Sequence, residues 1–230
     1  HLMKAAGIDD SAAEAWQYMH ALSGDEVDAD KLRAYIRHAP AMVKELEERG
    51  VAAFGAATSY MDYYPEIDGG KPGGRSLDPE PFSARKLGDT IDQQRTSRQG
   101  RVLTISMTAR EGHLFVNFGW RAMLLLAKRL FLYYLDFPSR LKKRPDNRMT
   151  LGRALTARLR YALLQRKVPL WLNTELLELL QQDGRVVGAL VKKDGQEMRV
   201  AARKGVLIAT GGFDHNTQLR EQYQHSAHAM

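Results

Sequence analysis

The sequence predicts an α/β protein with α+β character, and three observations lead to that class. Residues 12–49 and 150–166 show helical spacing of apolar side chains. Residues 166–204 contain three strand-like segments separated by two Asp-Gly pairs, which is typical of a small antiparallel β-meander. Residues 205–209 are mostly aliphatic and are followed by a Gly-Gly pair, which predicts one further strand, buried on both faces.

The composition is that of a globular protein with an excess of positive charge. The 230 residues include 34 Lys and Arg against 27 Asp and Glu, a formal net charge of +7. A chain of this length can bury a core as one large domain or two small ones. The absence of cysteine excludes disulfides, zinc-thiolate sites and cysteine catalysis, and it is compatible with a reducing compartment. The charge comes without a nucleic-acid-binding motif, so we interpret it as a solvated basic surface.

Two helices are predicted in the first 50 residues. The first covers residues 12–22, and the second runs from near residue 30 to a stop at Gly50. Pro40 is expected to kink the second helix or to split it. His20 and His38 lie on these helices without a partner at metal-ligand spacing, so no metal site is predicted.

Residues 59–82 are rich in Gly and Pro, which excludes a helix or a central strand and predicts a long loop. Loops of this length inside a compact domain are usually functional or disordered, and the tyrosines of this loop argue against disorder. Tyr60 and Tyr63 could offer an apolar ring to a flat ligand and a hydroxyl for hydrogen bonding. The alternative is that Tyr60 and Tyr63 only cover the core beneath a surface loop.

Residues 118–137 form a strongly apolar helix candidate, preceded by a short predicted strand at 103–107. Lys128 and Arg129 lie too near its centre for a membrane-spanning segment. We interpret it first as a core helix. The alternative is an interfacial helix with a basic flank that touches anionic lipid. That flank consists of Arg140, Lys142, Lys143 and Arg144.

The last predicted helix, near residues 150–166, leads into the meander. Its apolar stripe is expected to consist of Leu151, Leu155, Leu159, Ala162 and Leu163, with Gly152 allowing close packing. The first meander strand is expected to begin at Val168-Pro169. After the meander, Gly211 and Gly212 follow the buried strand and would let the backbone approach a ligand beyond its carboxyl end. The alternative is a plain buried strand with a turn.

Two segments of the sequence resemble a known family. They are the meander that leads into Ala209-Thr210-Gly211-Gly212, and the segment Asp62-Tyr63-Tyr64-Pro65-Glu66 with the Gly69-Gly70 and Gly74-Arg75-Ser76 that follow it. Both resemble the flavoprotein superfamily of the succinate dehydrogenase and fumarate reductase flavoprotein subunits, most closely its 3-ketosteroid dehydrogenase branch. The chain departs from that branch at Tyr64, where the branch has His.

The resemblance implies a Rossmann-like FAD-binding domain, FAD as cofactor, and dehydrogenation of a 3-ketosteroid-like small molecule by hydride transfer to the flavin. It implies a substrate pocket that includes Tyr60 and Tyr63. It also implies main-chain contacts to FAD, and the residues expected to make them are Leu176, Ala209, Thr210, Gly211 and Gly212.

The resemblance further implies that residues 1–230 are only part of the FAD-binding domain. No Gly-x-Gly-x-x-Gly turn occurs between a strand and a helix, so the pyrophosphate site is expected upstream of His1. The capping domain and the proton-transfer tyrosines are expected downstream of Met230. We therefore expect no catalytic residue within this chain and no activity from the isolated chain.

Two other functions stay open. One is a flavoprotein oxidoreductase of the fumarate or succinate type, in which Tyr63 has no clear task. The other is a basic, non-enzymatic domain that binds anions or a membrane surface, suggested by the net charge alone. We expect a cytoplasmic protein that could contact a membrane peripherally, with no nucleic-acid partner. The sequence specifies neither the electron acceptor nor the oligomeric state.

Overall fold

The computed structural model of the chain describes residues 1–94, 101–102, 105–116, 119–141 and 146–224. Within it, the chain divides into two compact units, His1–Pro169 and Leu170–Met230. Helices and short antiparallel strand pairs make up the first unit. A three-stranded antiparallel sheet with one short helix makes up the second. The predicted α/β class with α+β character is confirmed.

The elements of the first unit are short, apart from four longer helices. Its α-helices are α1 (Leu2–Ala5), α2 (Ala12–Ser23), α3 (Ala29–Glu48), α4 (Ala109–His113), α5 (Trp120–Leu135), α6 (Phe137–Leu141) and α7 (Leu151–Gln165). Its strands are β1 (Phe54–Ala56), β2 (Leu77–Pro79), β3 (Phe82–Ser83), β4 (Arg101–Val102), β5 (Ile105–Ser106) and β6 (Arg148–Met149). The antiparallel pairs are β1 with β2, β3 with β6, and β4 with β5. Segments of 3₁₀ helix occupy Gly24–Glu26 and Ala84–Gln93.

The second unit begins with a meander whose turns are those predicted. Its elements are β7 (Thr174–Gln182), β8 (Arg185–Lys193), β9 (Gln196–Ala201) and α8 (Thr217–Tyr223), with β8 at the centre of the sheet. Asp183 and Gly184 have φ angles of 50° and 72°, and Asp194 and Gly195 have 49° and 89°. Two consecutive residues at positive φ are the mark of the type I′ hairpin turn, which explains the two Asp-Gly pairs. The first strand begins at Thr174, however, so the predicted start at Val168 was wrong.

The helices α2 and α3 lie close to their predicted positions. The Ser11 hydroxyl accepts a hydrogen bond from the Glu14 backbone N–H at 3.2 Å and so caps α2. Helix α3 continues through Pro40. Of the two predicted effects of Pro40, a kink or a split, the split is therefore wrong. Proline removes only one hydrogen bond of the helix, and buried contacts at Leu32 and Val43 on either side of it hold the remaining turns.

The main core of the first unit lies where α7 crosses β3, β6 and the 3₁₀ segment. It contains Phe82, Ala84, Leu87, Ile91, Met149, Ala154 and Ala157. The predicted apolar stripe of α7 was wrong in part: Ala162 is buried, but α7 approaches these strands through Ala154 and Ala157, and Leu159 is 39% exposed. Close packing at Gly152 was wrong as well, since a Cβ placed there would meet nothing within 4 Å.

The Gly- and Pro-rich stretch is irregular over residues 57–76, as predicted, but it ends in a strand. Strand β2 pairs with β1, and Pro79 lies opposite Phe54 at the end of that pair. A two-stranded pair consists only of edges, and proline is tolerated on an edge because the missing N–H points away from the partner. The prediction of a loop up to residue 82 was therefore too long.

The apolar helix candidate becomes α5 and α6, with Phe118 outside the described residues. The interpretation as a core helix was wrong: only Ala122 of α5 is buried, and Trp120 and Phe131 are 67% and 65% exposed. On the side of α5 that faces the protein, Arg129 binds Glu111. Lys142, Lys143 and Arg144 of the expected basic flank lie outside the described residues, as do Leu103 and Thr104 of the short predicted strand, whose described part is β5. None of the described helices is long and apolar enough to cross a membrane.

Residues 205–209 do not form the predicted buried strand. No strand of the described residues pairs with them, and Leu207 is 90% exposed. Aliphatic residues favour a strand only where a neighbouring strand supplies hydrogen bonds and an apolar face to pack against. Without that neighbour, the segment is an irregular stretch with its apolar side chains in solvent.

Candidate functional site

The tyrosine-bearing loop, residues 57–76, is anchored by one arginine. Arg75 donates from Nη2 and Nε to the two carboxylate oxygens of Asp10, at 2.8 and 3.0 Å. Its third nitrogen, Nη1, donates to Asp62 Oδ2 at 2.8 Å. All three side chains are largely shielded from solvent. Because a guanidinium bound at three points has little freedom left, the loop is fixed to the N-terminal end of α2.

The Asp62 carboxylate also joins the two limbs of the loop. Asp62 Oδ2 accepts a hydrogen bond from the Lys71 backbone N–H at 2.9 Å, and the Asp62 N–H donates to the Lys71 carbonyl at 3.0 Å. The Lys71 ammonium forms an ion pair with Glu14 at 2.6 Å, which ties the returning limb of the loop to α2. The loop is irregular, but the groups around Asp62 hold its backbone in one conformation.

Two glycines let the loop lie directly on other backbone. A Cβ at Gly69, which has a φ of 81°, would come within 2.2 Å of the Glu14 carbonyl oxygen. A Cβ at Gly73 would come within 2.1 Å of the Thr58 carbonyl oxygen. No real Cβ tolerates such distances, so these positions require glycine. The glycine content that predicted a loop therefore serves close packing.

The anchoring groups have pKa values that reflect their pairing. Burial opposes ionisation of Asp10, but the hydrogen bonds and the charge of Arg75 outweigh burial and hold its pKa below the ordinary value. The hydrogen bonds that Arg75 donates to Asp10 likewise raise the pKa of Arg75. Both groups are therefore charged at neutral pH, and the loop is held by full ionic bonds.

Tyr63 projects from the anchored part of this loop. Its neighbour Asp62 is held by Arg75, and the backbone N–H of Tyr64 donates to the buried Tyr18 hydroxyl at 3.2 Å. Between these two fixed neighbours, Tyr63 is 97% exposed. It covers no core in this chain, which removes the alternative role for this residue. Tyr60 is half exposed on the same loop.

A small cavity of about 220 Å³ lies beside the start of this loop. Its walls include Thr58, Asp78 and Arg110. Asp78 Oδ2 accepts from the Ala109 backbone N–H at 3.0 Å, while Oδ1 is buried without a hydrogen bond. Burial therefore raises the pKa of Asp78. The cavity was not foreseen from the sequence, since its residues come from four separated parts of the chain with no shared motif.

The residues expected to contact FAD lie in the second unit. Leu176 is on β7, an edge strand of the sheet, opposite Val191. The pairing shifts register between Leu176 and Glu178, which is a β-bulge that leaves Leu177 without a partner. No described strand pairs with the outer edge of β7, so the main-chain groups there are open to a ligand.

The segment Ala209–Gly212 is also open. Among the described residues, none forms a backbone hydrogen bond with residues 205–212. Gly211 has a φ of 81°, and a Cβ there would meet no atom of the described residues within 4 Å. Unpaired N–H and C=O groups beside a bare glycine fit a large group that binds through the main chain. The residues present are compatible with part of a flavin nucleotide site.

Metal ligation finds no support in the described residues, which contain no group of three or more His, Cys, Asp or Glu side chains that could hold an ion. The anchoring network of Asp10, Asp62 and Arg75 was missed by sequence reasoning. Its one visible signal was Arg75 itself, a cation next to glycines inside a loop that carries three acidic residues.

Comparisons with known proteins match this chain along nearly its whole length. In the solved structures, it superimposes on the crystal structure of 3-ketosteroid Δ1-dehydrogenase from Sterolibacterium denitrificans in complex with 1,4-androstadiene-3,17-dione, with a TM-score of 0.86 and 42% identity. That match covers 94% of this chain and 40% of the solved chain.

Curated proteins agree with the structural match. The 3-oxosteroid 1-dehydrogenase of Comamonas testosteroni is 37% identical over 224 residues, covering 96% of this chain and 39% of the relative. The enzyme of the same name from Mycolicibacterium smegmatis is 35% identical, covering 97% of this chain and 40% of the relative. The chain thus spans about two fifths of the length of these relatives.

The family comparison agrees as well. The sequence profile of the FAD binding domain matches residues 1–230, and this match confirms the cofactor, FAD, that the resemblance implied. The resemblance to 3-ketosteroid dehydrogenases is confirmed by the two curated relatives and the solved structure. The chain belongs to the FAD binding domain family.

Proposed function

We propose that the chain is part of an FAD-dependent oxidoreductase that dehydrogenates a CH–CH bond of a 3-ketosteroid-like substrate. The observation that carries the proposal is Tyr63, a fully exposed ring held between two anchored residues of a loop whose sequence resembles that of the ketosteroid dehydrogenases. The similarity to 3-oxosteroid 1-dehydrogenases along nearly the whole chain supports it.

Tyr63 fits a wall of a substrate pocket. An exposed ring on a loop held in one conformation can receive an apolar ligand without a further cost for ordering the loop. Its face would pack against the flat rings of a steroid, and its hydroxyl would hydrogen-bond a carbonyl or hydroxyl group. Tyr60, three residues earlier, would extend the same wall.

The proposed FAD-contacting residues are Leu176 on the edge of β7 and the segment Ala209-Thr210-Gly211-Gly212. When bound, FAD would supply the hydride acceptor of the reaction. The chain's own part is to bind and orient: unpaired main-chain groups of these residues would contact the cofactor, and Gly211 would leave room for it.

The proposal also concerns what the rest of the protein supplies. Residues 1–230 would form part of the FAD-binding domain, and the dinucleotide-binding βαβ unit and a capping domain would lie elsewhere in the protein. The coverage of about two fifths of each relative supports this division. The groups that move the substrate proton would lie outside residues 1–230, so no catalytic residue is assigned here.

A dicarboxylate substrate of the fumarate or succinate type fits this part of the chain less well. Such a substrate needs cations free to pair with its two carboxylates. The cations of the tyrosine-bearing loop, Lys71 and Arg75, are already paired with Glu14, Asp10 and Asp62. A neutral ring ketone has no carboxylate and needs no free cation.

We also propose that the protein works in the cytoplasm and contacts a membrane peripherally. A chain without cysteine suits a reducing compartment. An apolar substrate of steroid type partitions into bilayers, and the exposed apolar residues of α5 are compatible with contact at such a surface.

The cofactor assignment is tested by Gly211→Val, with Gly195→Val as the matched control. Both glycines have positive φ and open space, at 81° and 89°, so both variants carry a similar backbone strain. In the product of the complete reading frame, Gly211→Val should weaken FAD binding, measured by equilibrium dialysis, at least about tenfold relative to Gly195→Val. Equal affinities in the two variants would refute the assignment.

The substrate assignment is tested by turnover. With an artificial electron acceptor, the product of the complete reading frame should dehydrogenate a 3-ketosteroid and leave succinate unchanged. Turnover of succinate but not of the steroid would refute the proposed substrate and favour the dicarboxylate alternative.

A further inference from the structure

Tyr18 is the one buried residue of helix α2, and it lies where the tyrosine-bearing loop rests on that helix. Its side chain is 8% exposed. The Arg75 guanidinium lies over its ring, with Cζ 5.4 Å from the ring centroid. The backbone of Gly69 lies beside it, since a Cβ at Gly69 would come within 3.1 Å of the Tyr18 backbone nitrogen. The surroundings of Tyr18 are therefore set by the loop.

The Tyr18 hydroxyl holds the peptide group that joins Tyr63 to Tyr64. It accepts a hydrogen bond from the Tyr64 backbone N–H at 3.2 Å. Among the described residues, no other group accepts from this N–H. A peptide group is planar, so a bond to its N–H restrains the orientation of the whole group, including the carbonyl of Tyr63. The hydroxyl of Tyr18 therefore restrains the backbone of Tyr63 from its carboxyl side.

The carbonyl of Tyr64 is held as well, by a tight turn. It accepts from the Ile67 N–H at 3.1 Å, and Pro65 occupies the second position of this turn. Proline at that position fixes its own φ near the value that the turn requires. The Ile67 carbonyl likewise accepts from the Gly70 N–H at 2.7 Å. Tyr64 is therefore a fixed point of the loop backbone, and the Tyr18 hydroxyl attaches this point to α2.

The direction of the Tyr63 ring depends on its backbone, because the side chain itself is 97% exposed. On its amino side, Arg75 holds the Asp62 carboxylate at 2.8 Å. On its carboxyl side, the described side chain that holds Tyr64 is that of Tyr18. The Cα–Cβ bond of Tyr63 therefore points where these two anchors direct it.

We propose that Tyr18 is a positioning residue of the substrate pocket. Its hydroxyl keeps the Tyr63 ring at the angle at which the ring face receives a flat apolar substrate, although Tyr18 itself contacts no substrate. Contact between two flat ring systems depends on their distance and tilt, so a wall residue that is free to turn loses part of its binding energy to ordering. The inference rests on the proposed function, since it requires that Tyr63 lines the pocket.

The test is Tyr18→Phe in the product of the complete reading frame, assayed with a 3-ketosteroid and an artificial electron acceptor. Phenylalanine keeps the ring beneath Arg75 and removes the hydroxyl alone. The value of kcat/KM should fall about three- to tenfold, which is the equivalent of one hydrogen bond between neutral groups. The loss should appear mainly as a higher KM, because Tyr18 touches no reacting group. The affinity for FAD should not change.

The matched control is Tyr161→Phe on α7. The Tyr161 hydroxyl also accepts one hydrogen bond, from Gln165 Nε2 at 2.9 Å. Its ring packs against the main core of the first unit, and its hydroxyl has no described hydrogen bond to the tyrosine-bearing loop. The same chemical change should therefore leave kcat and KM unchanged.

A double-mutant cycle separates positioning from a general structural role. In a Tyr63→Ala background no ring is left to position, so the addition of Tyr18→Phe should lower kcat/KM by less than about a further twofold. A general loss of folded protein would lower activity equally in both backgrounds. Two losses that multiply would overturn the inference, as would an unchanged kcat/KM in Tyr18→Phe.

Failure of this inference and failure of the proposed function give different results. If the substrate assignment is wrong, Tyr63→Ala alone leaves kcat/KM for the steroid unchanged, which overturns both. If only the inference is wrong, Tyr63→Ala lowers kcat/KM, while Tyr18→Phe has no effect or has an equal effect in both backgrounds.

Hydrogen exchange of the wild type keeps the test decisive if Tyr18→Phe does not fold. The Tyr64 amide should exchange at least about tenfold more slowly than the Tyr63 amide, which has no hydrogen-bond partner among the described residues. Equal exchange rates would overturn the inference, because the peptide group between the two tyrosines would then not be held.

Discussion

Arg75 and Asp10 form a two-point ion pair across 65 residues of sequence, with nitrogen–oxygen distances of 2.8 and 3.0 Å. The pair joins the returning limb of the tyrosine-bearing loop to the start of α2, and the third nitrogen of Arg75 holds Asp62 next to Tyr63. The exposure of Tyr63 and the rigidity of its loop therefore have one origin.

Replacement of Arg75 by lysine should destabilise the protein. Lysine keeps the charge but cannot contact Asp10 at two points and Asp62 at a third. The free energy of unfolding should fall by about 2 to 3 kcal/mol, measured by urea denaturation. The control is Arg49→Lys, at an exposed pair with Glu45, where a change within about 0.5 kcal/mol is expected. Equal effects at the two positions would mean that the loop is not held by Arg75.

The Asp10 carboxylate should make stability depend on acid pH. Its pKa is lower in the folded protein than in the unfolded chain, so its contribution is complete above the unfolded value of about 3.9 and is lost as the pH falls through the folded value. The difference in unfolding free energy between wild type and Asp10→Asn should therefore be constant near neutral pH and shrink below about pH 4. A difference that stays constant down to pH 2 would contradict this pairing.

Gly69 should not tolerate a side chain. In Gly69→Ala the new Cβ would overlap the Glu14 carbonyl oxygen at 2.2 Å, on a backbone with a φ of 81°. We expect a loss of about 2 to 4 kcal/mol in unfolding free energy and faster proteolysis of the loop. The control is Gly152→Ala on α7, where nothing lies within 4 Å and alanine should stabilise the helix by up to about 1 kcal/mol. A neutral Gly69→Ala would show that the loop does not rest on α2.

Tyr63 should matter for the substrate and not for the fold. Because its side chain is 97% exposed, Tyr63→Ala should change the unfolding free energy by less than about 0.5 kcal/mol. With a 3-ketosteroid, the same variant should lower kcat/KM by about 10- to 100-fold, because it loses the contact between one aromatic ring and an apolar ligand. Tyr63→Phe separates the ring from the hydroxyl.

The matched control for Tyr63 is Tyr35→Ala, at an exposed tyrosine of α3. It should change neither stability nor kcat/KM. An unchanged kcat/KM in Tyr63→Ala, or an equal loss in Tyr35→Ala, would remove Tyr63 from the substrate pocket.

The local features of the fold could be predicted because their causes lie within a few residues. Asp183-Gly184 and Asp194-Gly195 specify tight turns by their own conformational preferences, and Ser11 caps α2 through a hydroxyl three residues from its partner. Such signals need no distant contact, so they survive in any arrangement of the chain.

The wrong predictions concern features that depend on contacts between residues far apart in the sequence. An aliphatic run at 205–209 favours a strand, but strands need a neighbour, and no described strand pairs with it. The rotation of α5 depends on Arg129 finding Glu111, a contact that spacing along α5 does not reveal. In α7 the residues buried in this core are Ala154 and Ala157, because β3 and β6 pack so close to the helix that small side chains are favoured there.

The candidate site was predicted only in part. Resemblance supplied Tyr60, Tyr63 and the Ala209–Gly212 segment, and the tyrosine content indicated an ordered loop. The reason for that order, Arg75 between Asp10 and Asp62, could not be derived, because the three residues are far apart in sequence and carry no spacing rule.

An anaerobic titration of the product of the complete reading frame is the most direct measurement of the proposed function. The absorbance of bound FAD would be followed as a 3-ketosteroid, and in a parallel sample succinate, is added. We expect the steroid to bleach the flavin in proportion to the amount added and succinate to leave it oxidised. Bleaching by succinate alone, a flavin that neither compound reduces, or a protein that holds no flavin would contradict the proposal.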